Sequence, residues 1–489
     1  MKTLKKIIAL ILCATLLMSC GAVVFASAQS ETEETGIFNF SRIKDFFSNI
    51  IDKIKAFFDK IAGLFVGNKF TGSDYTIPTL DLSQLPDELK GSQYEYLYNL
   101  SVVDNSQDYM AHPDSVLLKN GNILTVYPAG HGKGAVLNKI SADGGLSWSK
   151  EVSDTPESWV NSQETPTIYR LEFADGKTSD KLILISANPQ WPNSDTKGGF
   201  ECSVSDDEGQ TWSEFQRFYD LESDTPVVPI VAMASLTRLK ENGEFVDKWM
   251  GVFHDADFYN YKTILTFDEN GNMQWSAPEK YLAQHREIEK TSQICEVEII
   301  RSDNGKGDEL CLISRSQSKK INSMISFSSD EGKTWSVPVE APSALNGERH
   351  KAEYTSDGRL FITFRSIERG AKARENAKNT TDKKRGWISE GLIAWVGTYE
   401  DLKNGTQGDY RIKIAHIYND DQKKPEYYAG SDTGYCGNVV LDDDTIVSCG
   451  YGKFSPDEKL ADGKTLKTYI ASKRINLKDT DELVKKYFG

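Results

Sequence analysis

Short apolar runs separated by turn residues occupy most of the chain between residues 108 and 480. Six segments in this region share one order: a polar start, an apolar strand, a turn and a second apolar strand. They begin at His112, Glu164, Val228, Glu296, His350 and Tyr435. Many short strands at regular spacing are typical of all-β folds, and six similar segments predict six similar sheets.

Four acidic, glycine-containing turns mark the same region, and each is followed by a tryptophan. These are Trp148, Trp212, Trp275 and Trp335, at intervals of 64, 63 and 60 residues. In such a turn the Asp accepts backbone hydrogen bonds and the Gly adopts a positive φ. The large Trp side chain is suited to the space between neighbouring sheets. The spacing therefore predicts an array of repeated units.

These turns resemble the Asp-box, S-x-D-x-G-x-T-W, of the sialidase superfamily. The fourth turn, SSDEGKTW, matches in full, whereas the third, from Asp268 to Trp275, is degenerate and longer. The resemblance implies an all-β, six-bladed β-propeller over residues 108–480. Because proteins without catalytic activity carry Asp-boxes too, the boxes predict the fold and not the chemistry.

The N-terminus has the pattern of a secretory signal over residues 1–28. Three lysines in the first six residues precede an apolar run, and a small-residue A-S-A site follows it. We expect cleavage after Ala28 and a secreted or cell-surface protein. Acylation of Cys20, as in a lipoprotein, and an uncleaved anchor are the alternatives.

Residues 29–67 begin with an acidic spacer and continue as an amphipathic helical segment over residues 37–66. Apolar residues recur there at helical spacing: Phe40, Ile43, Phe47, Ile50, Ile54, Phe57, Ile61 and Phe65. We expect a helix, or a pair of helices, that docks on the propeller or self-associates. A membrane-surface anchor is the alternative. Residues 68–107 are rich in turn residues and are predicted to be a connector.

Charge and cysteine content narrow the choice of partners. The net charge of −15 argues against binding to nucleic acid. Five of the seven cysteines lie outside the signal, and none has zinc-site spacing. Cys436 and Cys449 lie on the two arms of a predicted hairpin. We expect buried thiols there, with a cross-strand disulfide as the alternative.

The ends of the innermost strands are the expected place for function. In a propeller, the start of each blade's first strand and the end of its second strand lie at one mouth of the central channel, where loops carry function. Hairpin arithmetic predicts the residues that face each other there. The predicted pairs are His112 with His131, His350 with Arg365, Glu296 with Arg315, and Tyr435 with Gly450. His254 is also expected near this mouth.

Two segments resemble the parts of sialidases that carry the active site. The resemblance implies that Tyr435 is the nucleophile and that Glu296 is its partner. It also implies that Arg315 and Arg365 bind an acidic or polar substituent of the sugar. Two other arginines compete for the place of Arg365: Arg349 and Arg369.

Two positions depart from the sialidase pattern. Where that family has Arg-Ile-Pro, this chain has His112-Pro113-Asp114, and His131 stands where the acid/base Asp is expected. Under the leading hypothesis His131 or Asp114 transfers the proton. Further side chains are then expected to contact the sugar: His112, Glu164, Trp191 and His350.

A second hypothesis uses the same residues to bind a metal. Imidazoles and carboxylates are ligands of Zn²⁺ and Mn²⁺, and a His-Pro-Asp strand is similar to that of propeller-type amino-sugar deacetylases. The candidate ligands are His112, His131, Glu164 and His350, with Asp114 beside them. This predicts a metal-assisted hydrolase such as a deacetylase. A third hypothesis is a glycan-binding propeller without turnover.

The leading hypothesis is a secreted, exo-acting glycoside hydrolase with a glycan substrate and no required cofactor. Tyr435, activated by Glu296, would attack the anomeric carbon. The basic insertion at residues 366–390 follows the second strand of blade five. It is expected to be a solvated loop, with a lid that attracts an anionic sugar as the alternative.

Overall fold

The computed structural model describes residues 75–489, except for residues 150–154, 175–177, 192–195, 319, 368–390, 419–431, 456–462 and 464–466. The predicted signal, the helical segment at 37–66 and nearly all of the basic insertion, including Arg369, lie outside the described residues. None of the helices in the described part of the chain is long and apolar enough to cross a membrane.

The described chain opens with two short strands and continues into six sheets, each built mainly as an antiparallel meander. The opening strands are β1 (Thr79–Asp81) and β2 (Ser101–Asp104). The first sheet contains β3 (Asp114–Leu117), β4 (Ile123–Pro128) and β5 (Val136–Ser141). The second contains β6 (Thr167–Leu171), β7 (Lys181–Ala187), β8 (Phe200–Ser205) and β9 (Gln216–Phe218). The third contains β10 (Val231–Glu241), β11 (Glu244–His254), β12 (Asn260–Phe267), β13 (Met273–Trp275) and β14 (Glu279–Lys280).

The remaining three sheets follow the same order along the chain. The fourth contains β15 (Ile294–Arg301), β16 (Leu310–Ser316), β17 (Met324–Ser328) and β18 (Val339–Glu340). The fifth contains β19 (Gly347–Tyr354), β20 (Leu360–Ser366), β21 (Leu392–Gly397) and β22 (Tyr410–Ala415). The sixth contains β23 (Gly434–Val440), β24 (Thr445–Gly452) and β25 (Tyr469–Asn476). These sheets are the six blades of a β-propeller, as the sequence predicted.

Helical structure in the described residues is sparse. The α-helices are α1 (Arg286–Ser292), α2 (Tyr399–Asn404) and α3 (Leu477–Phe488), with a helical turn at Ser302–Gly305. Short 3₁₀ turns occur at Asp87–Leu89, Glu95–Tyr98, Glu157–Asn161, Ala283–His285 and Ser343–Leu345. Helix α3 follows β25 directly and packs Leu477 and Leu483 into the core between blades five and six.

The segment predicted to be a connector contributes strands to the propeller. Strand β2 pairs with β25 and supplies the outer strand of blade six, with Ser101 opposite Ser472. Strand β1 adds to blade five in parallel with β22. The propeller therefore begins before residue 108, because the outer edge of β25 needs a partner for its backbone hydrogen-bonding groups.

The Asp-box turns join the third and fourth strand positions of blades one to four. In three boxes a serine donates to the aspartate, as Ser328 does to Asp330 at 2.8 Å. The same aspartate then accepts from the backbone N–H and the hydroxyl of Thr334, at 2.8 and 2.6 Å. The degenerate third box keeps the backbone bond, from Asn272 to Asp268 at 2.8 Å. These turns lie at the end of each blade opposite the predicted mouth.

Each box tryptophan packs against the preceding blade, so the boxes seal the ring. Trp212 packs with Leu124 of blade one, Trp275 with Phe200 of blade two, and Trp335 with Met250 of blade three. Trp148 closes the circle, since it packs on Val447 of blade six and its indole donates to Ser472 at 2.9 Å. The predicted placement of the tryptophans between sheets is confirmed.

All five cysteines in the described chain are buried and free. The ladder pairs Cys449 with Gly437, so Cys436 does not face Cys449 directly. The expected buried thiols are confirmed.

Candidate functional site

The innermost strands begin with an unusual backbone conformation in five of the six blades. One residue near each start has a positive φ of 45–55°: His112, Met233, Glu296, Arg349 and Tyr435. In four of these blades the pairing register shifts at this point, which marks a β-bulge. Such a conformation costs about 1–3 kcal/mol for a residue other than glycine, and it clusters at functional sites.

Three of these residues form the centre of the site. The Tyr435 hydroxyl donates to Glu296 Oε1 at 2.6 Å, and Arg315 Nη1 lies 2.9 Å from the same oxygen. The guanidinium of Arg349 lies 5.4 Å from the centre of the Tyr435 ring. Blades four, five and six thus bring a phenol, a carboxylate and two guanidinium groups together. The predicted contact between Glu296 and Arg315 is present, although the ladder pairs Arg315 with Cys295.

Burial and charge act in opposite directions on Glu296. Burial alone would raise its pKa, but Arg315, the Tyr435 hydroxyl and Arg349 outweigh burial and lower the pKa below its usual value. Burial and the adjacent Glu296 raise the pKa of Tyr435 well above its usual value. At neutral pH the pair is therefore a carboxylate beside a protonated phenol. The second carboxylate oxygen, Glu296 Oε2, has no hydrogen-bond partner among the described residues.

Glu348 connects the two arginines that the sequence placed in the site. Its carboxylate lies 3.4 Å from Arg315 Nη2 and 2.6 Å from Arg365 Nη2. The ladder pairs Glu348 with Arg365, so the predicted pairing of Arg365 with His350 is wrong. The bulge at Arg349 shifts the register, and this change has no signature in the sequence.

His350 consequently lies away from the site. Its Nε2 is 3.0 Å from the carbonyl oxygen of Leu345, and its ring packs near Phe364. Burial lowers its pKa to about 4. The structure therefore gives His350 a place in the interior of blade five and not among the sugar-contacting or metal-ligating groups.

His112 and His131 meet at the mouth, but not by the predicted hairpin register. Strand β3 pairs with β4 through Asp114 and Val126, three positions away from the register that would set the two histidines opposite each other. The loop after β4 brings them together instead, with ring centres 4.8 Å apart. The His112 ring also lies 4.0 Å from the Tyr435 ring. Burial and His131 lower the pKa of His112 well below its usual value, so its imidazole is neutral.

Asp432 is a central residue that the sequence analysis missed. It accepts hydrogen bonds from Tyr451 at 2.9 Å and from Tyr109 at 2.5 Å, and His131 Nε2 lies 3.2 Å from its Oδ1. Arg365 Nη1 lies 4.0 Å from the same oxygen. These contacts lower the pKa of Asp432 although burial opposes them. Its position three residues before Tyr435 was the one available signal.

Glu164 enters the site from blade two. Trp191 Nε1 donates to its Oε2 at 3.0 Å, and the Thr165 hydroxyl donates to its Oε1 at 2.5 Å. A Cβ atom at Gly132 would lie 3.2 Å from both Glu164 Oε1 and His112 Cε1, so the loop that carries His131 passes close to both side chains. Burial, assisted by the charge of Glu296, raises the pKa of Glu164 to about 7.

Asp114 lies in the channel and not among the contacts of Tyr435. Its Oδ2 accepts from the backbone N–H of Ile168 at 3.0 Å, and its Oδ1 lies 3.5 Å from Lys351 Nζ of blade five. The Glu298 carboxylate accepts from the Ala352 N–H at 3.2 Å, and its charge raises the pKa of Lys351. This ionic layer crosses the channel between blades.

His254 and the candidate metal ligands are the remaining residues that the sequence predicted near the mouth. His254 is buried at the end of β11, where burial lowers its pKa to about 4 and the Glu296 charge acts against that change. Within the described residues, no group of three or more His, Cys, Asp and Glu side chains is placed to hold a metal ion. His350, which contacts the carbonyl oxygen of Leu345, does not join the other three candidate metal ligands at the mouth.

Residues 130–376, about half of the chain, match the BNR repeat-like domain. The chain belongs to this family. The predicted sialidase-like superfamily is thereby confirmed. The chain matches no curated protein.

Solved structures with a similar propeller share little sequence with this family member. A Dyadobacter fermentans protein of unknown function is 14% identical, with a TM-score of 0.49, over 77% of this chain and 97% of that one. The α-L-arabinofuranosidase Arb93A of Fusarium graminearum is 13% identical, with a TM-score of 0.47, over 78% and 96%. The NanB sialidase of Streptococcus pneumoniae is 11% identical, with a TM-score of 0.46, over 78% and 70%.

Proposed function

We propose that this protein is a secreted or cell-surface, exo-acting glycoside hydrolase of the sialidase-like type that acts on glycan termini. The observation that carries the proposal is the buried centre in which Tyr435 donates to Glu296 at 2.6 Å beside Arg315. A nucleophile within hydrogen-bonding distance of a base, which is itself oriented by a third group, is the arrangement that covalent catalysis needs.

The ionic layer beneath the site supports exo action. Asp114 of blade one lies 3.5 Å from Lys351 Nζ of blade five, so side chains of two non-adjacent blades meet in the channel. A glycan would enter and leave by the same opening, which suits a chain end better than the middle of a chain.

In the proposed reaction, the phenol oxygen of Tyr435 forms a bond to the anomeric carbon while Glu296 accepts the phenol proton. The bond from that carbon to the leaving oxygen breaks, and a general acid protonates this oxygen. A water oxygen then forms a bond to the same carbon while the bond from that carbon to the Tyr435 oxygen breaks. Glu296 returns its proton to the phenolate, and the general acid, now a base, accepts a proton from the water.

Glu164 is better suited to the role of general acid than either residue predicted from the sequence. Its pKa of about 7 keeps it protonated in part at neutral pH, whereas Glu296 remains ionised. Two carboxyl groups whose pKa values are driven apart by their surroundings commonly divide the acid and nucleophile roles in glycosidases. The two residues predicted from the sequence already have partners: Asp114 lies 3.5 Å from Lys351, and His131 lies 3.2 Å from Asp432.

The test is turnover of a panel of aryl glycosides and N-acetylated sugars by the purified protein and two variants. We expect Tyr435→Phe and Glu296→Gln each to lower kcat by about 10²-fold or more. Tyr487→Phe is the matched control, because Tyr487 lies exposed on α3 and should leave kcat unchanged. Activity should survive a chelator.

Two outcomes would contradict the proposal. Activity that disappears in chelator and returns with Zn²⁺ or Mn²⁺ would favour the metal-assisted hydrolase. Saturable glycan binding with no turnover of any compound in the panel would favour a binding propeller.

A further inference from the structure

The arginines at the mouth already have carboxylate partners within the protein. Arg315 contacts Glu296 at 2.9 Å and Glu348 at 3.4 Å. Arg365 contacts Glu348 at 2.6 Å and lies 4.0 Å from Asp432. A guanidinium that is paired in this way has less capacity to attract a carboxylate from a ligand.

The other two cations of the region are also balanced. Lys351 Nζ lies 3.5 Å from Asp114, and the charges of Asp114 and Glu298 both raise the pKa of Lys351. Arg349 is buried beneath Tyr435, and the charges of Glu296 and Glu298 reach it at longer range. Within the described residues, four cationic side chains of this region thus lie near five carboxyl groups, even before Glu164 is counted.

The position that opens the first blade adds no positive charge. The sialidase resemblance places an arginine there, but this chain has His112, which is buried and neutral. Like Arg315 Nε and Arg365 Nε, Arg349 Nη1 has no hydrogen-bond partner among the described residues. A sugar hydroxyl can accept from it without bringing a further negative charge.

We infer that the site takes a neutral terminal sugar in preference to an acidic one, because Arg315 and Arg365 are already paired with carboxylates of the protein. This inference rests on the proposed function. An acidic sugar would have to displace one of these carboxylates, or it would bring an additional negative charge into a buried region. Carboxyl groups already outnumber the cationic side chains there. Either event is costly where charges are desolvated.

A neutral sugar also widens the choice of nucleophile. A carboxylate can attack the anomeric carbon of a neutral sugar, as in other retaining glycosidases. Glu296 Oε2 is then competent for attack as well as Tyr435, with the leaving oxygen again taking its proton from Glu164. Peptide mass mapping after reaction with a 2-fluoro aryl glycoside would show which of the two side chains carries the sugar.

The decisive experiment measures binding separately from turnover. Saturation-transfer NMR with the full chain would compare neutral pentoses and hexoses with N-acetylneuraminic and glucuronic acids, and aryl glycosides of both classes would be assayed in parallel. We expect binding, and cleavage where it occurs, to favour the neutral class. Tighter binding of an acidic sugar by the unmodified protein would overturn the inference. Neutral sugars that bind without cleavage would contradict the proposed function and leave this inference supported.

Removing one protein carboxylate should change the preference. Asp432→Asn leaves Arg365 with one partner fewer, and we expect affinity for the acidic sugars to rise by about tenfold. Asp443→Asn makes the same chemical change in the hairpin between β23 and β24, away from the mouth, and should have no effect. Glu348→Gln is the second variant if Asp432→Asn does not fold. If folded protein of either mouth variant still excludes acidic sugars as strongly as before, the pairing does not set the specificity and the inference is wrong.

Discussion

The two ends of each blade use repetition in opposite ways. At the Asp-boxes the same residue types recur from blade to blade, and so do the same hydrogen bonds, from Ser and Thr to Asp and from Gly to Ser. At the mouth the backbone recurs, with one residue at positive φ, but the side chains there are His, Met, Glu, Arg and Tyr. Repeated side chains thus stabilise the fold, whereas a repeated backbone presents different side chains to one site.

The largest expected effect tests the mouth. Glu164→Gln removes the proposed acid, and we expect a loss of about 10²–10⁴-fold in kcat with little change in stability. Because the acid must be protonated, activity of the unmodified protein should fall as pH rises through about 7, the pKa of Glu164. The pH dependence of kcat, measured for the unmodified protein and for Glu164→Gln, tests both expectations.

Trp191→Phe is a finer version of the same test. The indole hydrogen bond lowers the pKa of Glu164, although burial raises it overall. Its loss should move the alkaline limb of the profile to higher pH. A limb that stays in place would show that another group is the acid.

The second expected effect tests the other end of the blades. Trp335 is buried between blades three and four, and Trp335→Ala should lower the free energy of unfolding by about 3–5 kcal/mol. The folded variant should keep its kcat, since Trp335 does not reach the mouth. Denaturant unfolding and turnover measure the two properties. A variant with normal stability and lost activity would contradict this expectation, because it would assign Trp335 to the site and not to the stability of the fold.

The smallest expected effect comes from the box aspartates at low pH. The hydroxyl and amide of Ser147 lower the pKa of Asp143 to about 2, against about 3.9 in an unfolded chain. At Asp207 and Asp330 burial acts to raise the pKa, but hydrogen bonds outweigh it and the pKa is lowered.

Between about pH 4 and about pH 2 the folded chain therefore binds fewer protons than the unfolded chain. The stabilisation is present above about pH 4 and is lost as pH falls toward about 2. A variant with Asn at Asp143, Asp207 and Asp330 should show a flatter curve of Tm against pH in that window. An unchanged curve would mean that other carboxylates dominate acid unfolding.

The fold could be predicted because its signals are local. An Asp-box contains its own hydrogen-bond partners, so eight residues suffice to recognise it, and the six strand–turn–strand segments predict the number of blades. The contact between Glu296 and Tyr435 was implied by the resemblance of two segments to the sialidases, and both residues lie near the starts of innermost strands.

The rest of the site could not be predicted, for two physical reasons. A bulge changes the strand register without a distinctive residue, which is why His350 was assigned to the mouth in place of Arg349 and Glu348. Asp432 acts through groups from distant parts of the chain, such as Tyr109 and Arg365, and no spacing in the sequence reports their meeting.

The pairing of β2 with β25 has a consequence for biosynthesis. Ser101 lies opposite Ser472, so an early segment must wait for nearly the whole polypeptide to be translated before it finds its neighbour. Until then blade six lacks its outer strand and blade one lacks the surface against which Trp148 packs. The ring is therefore expected to fold slowly, because its last contacts join the most widely separated parts of the sequence.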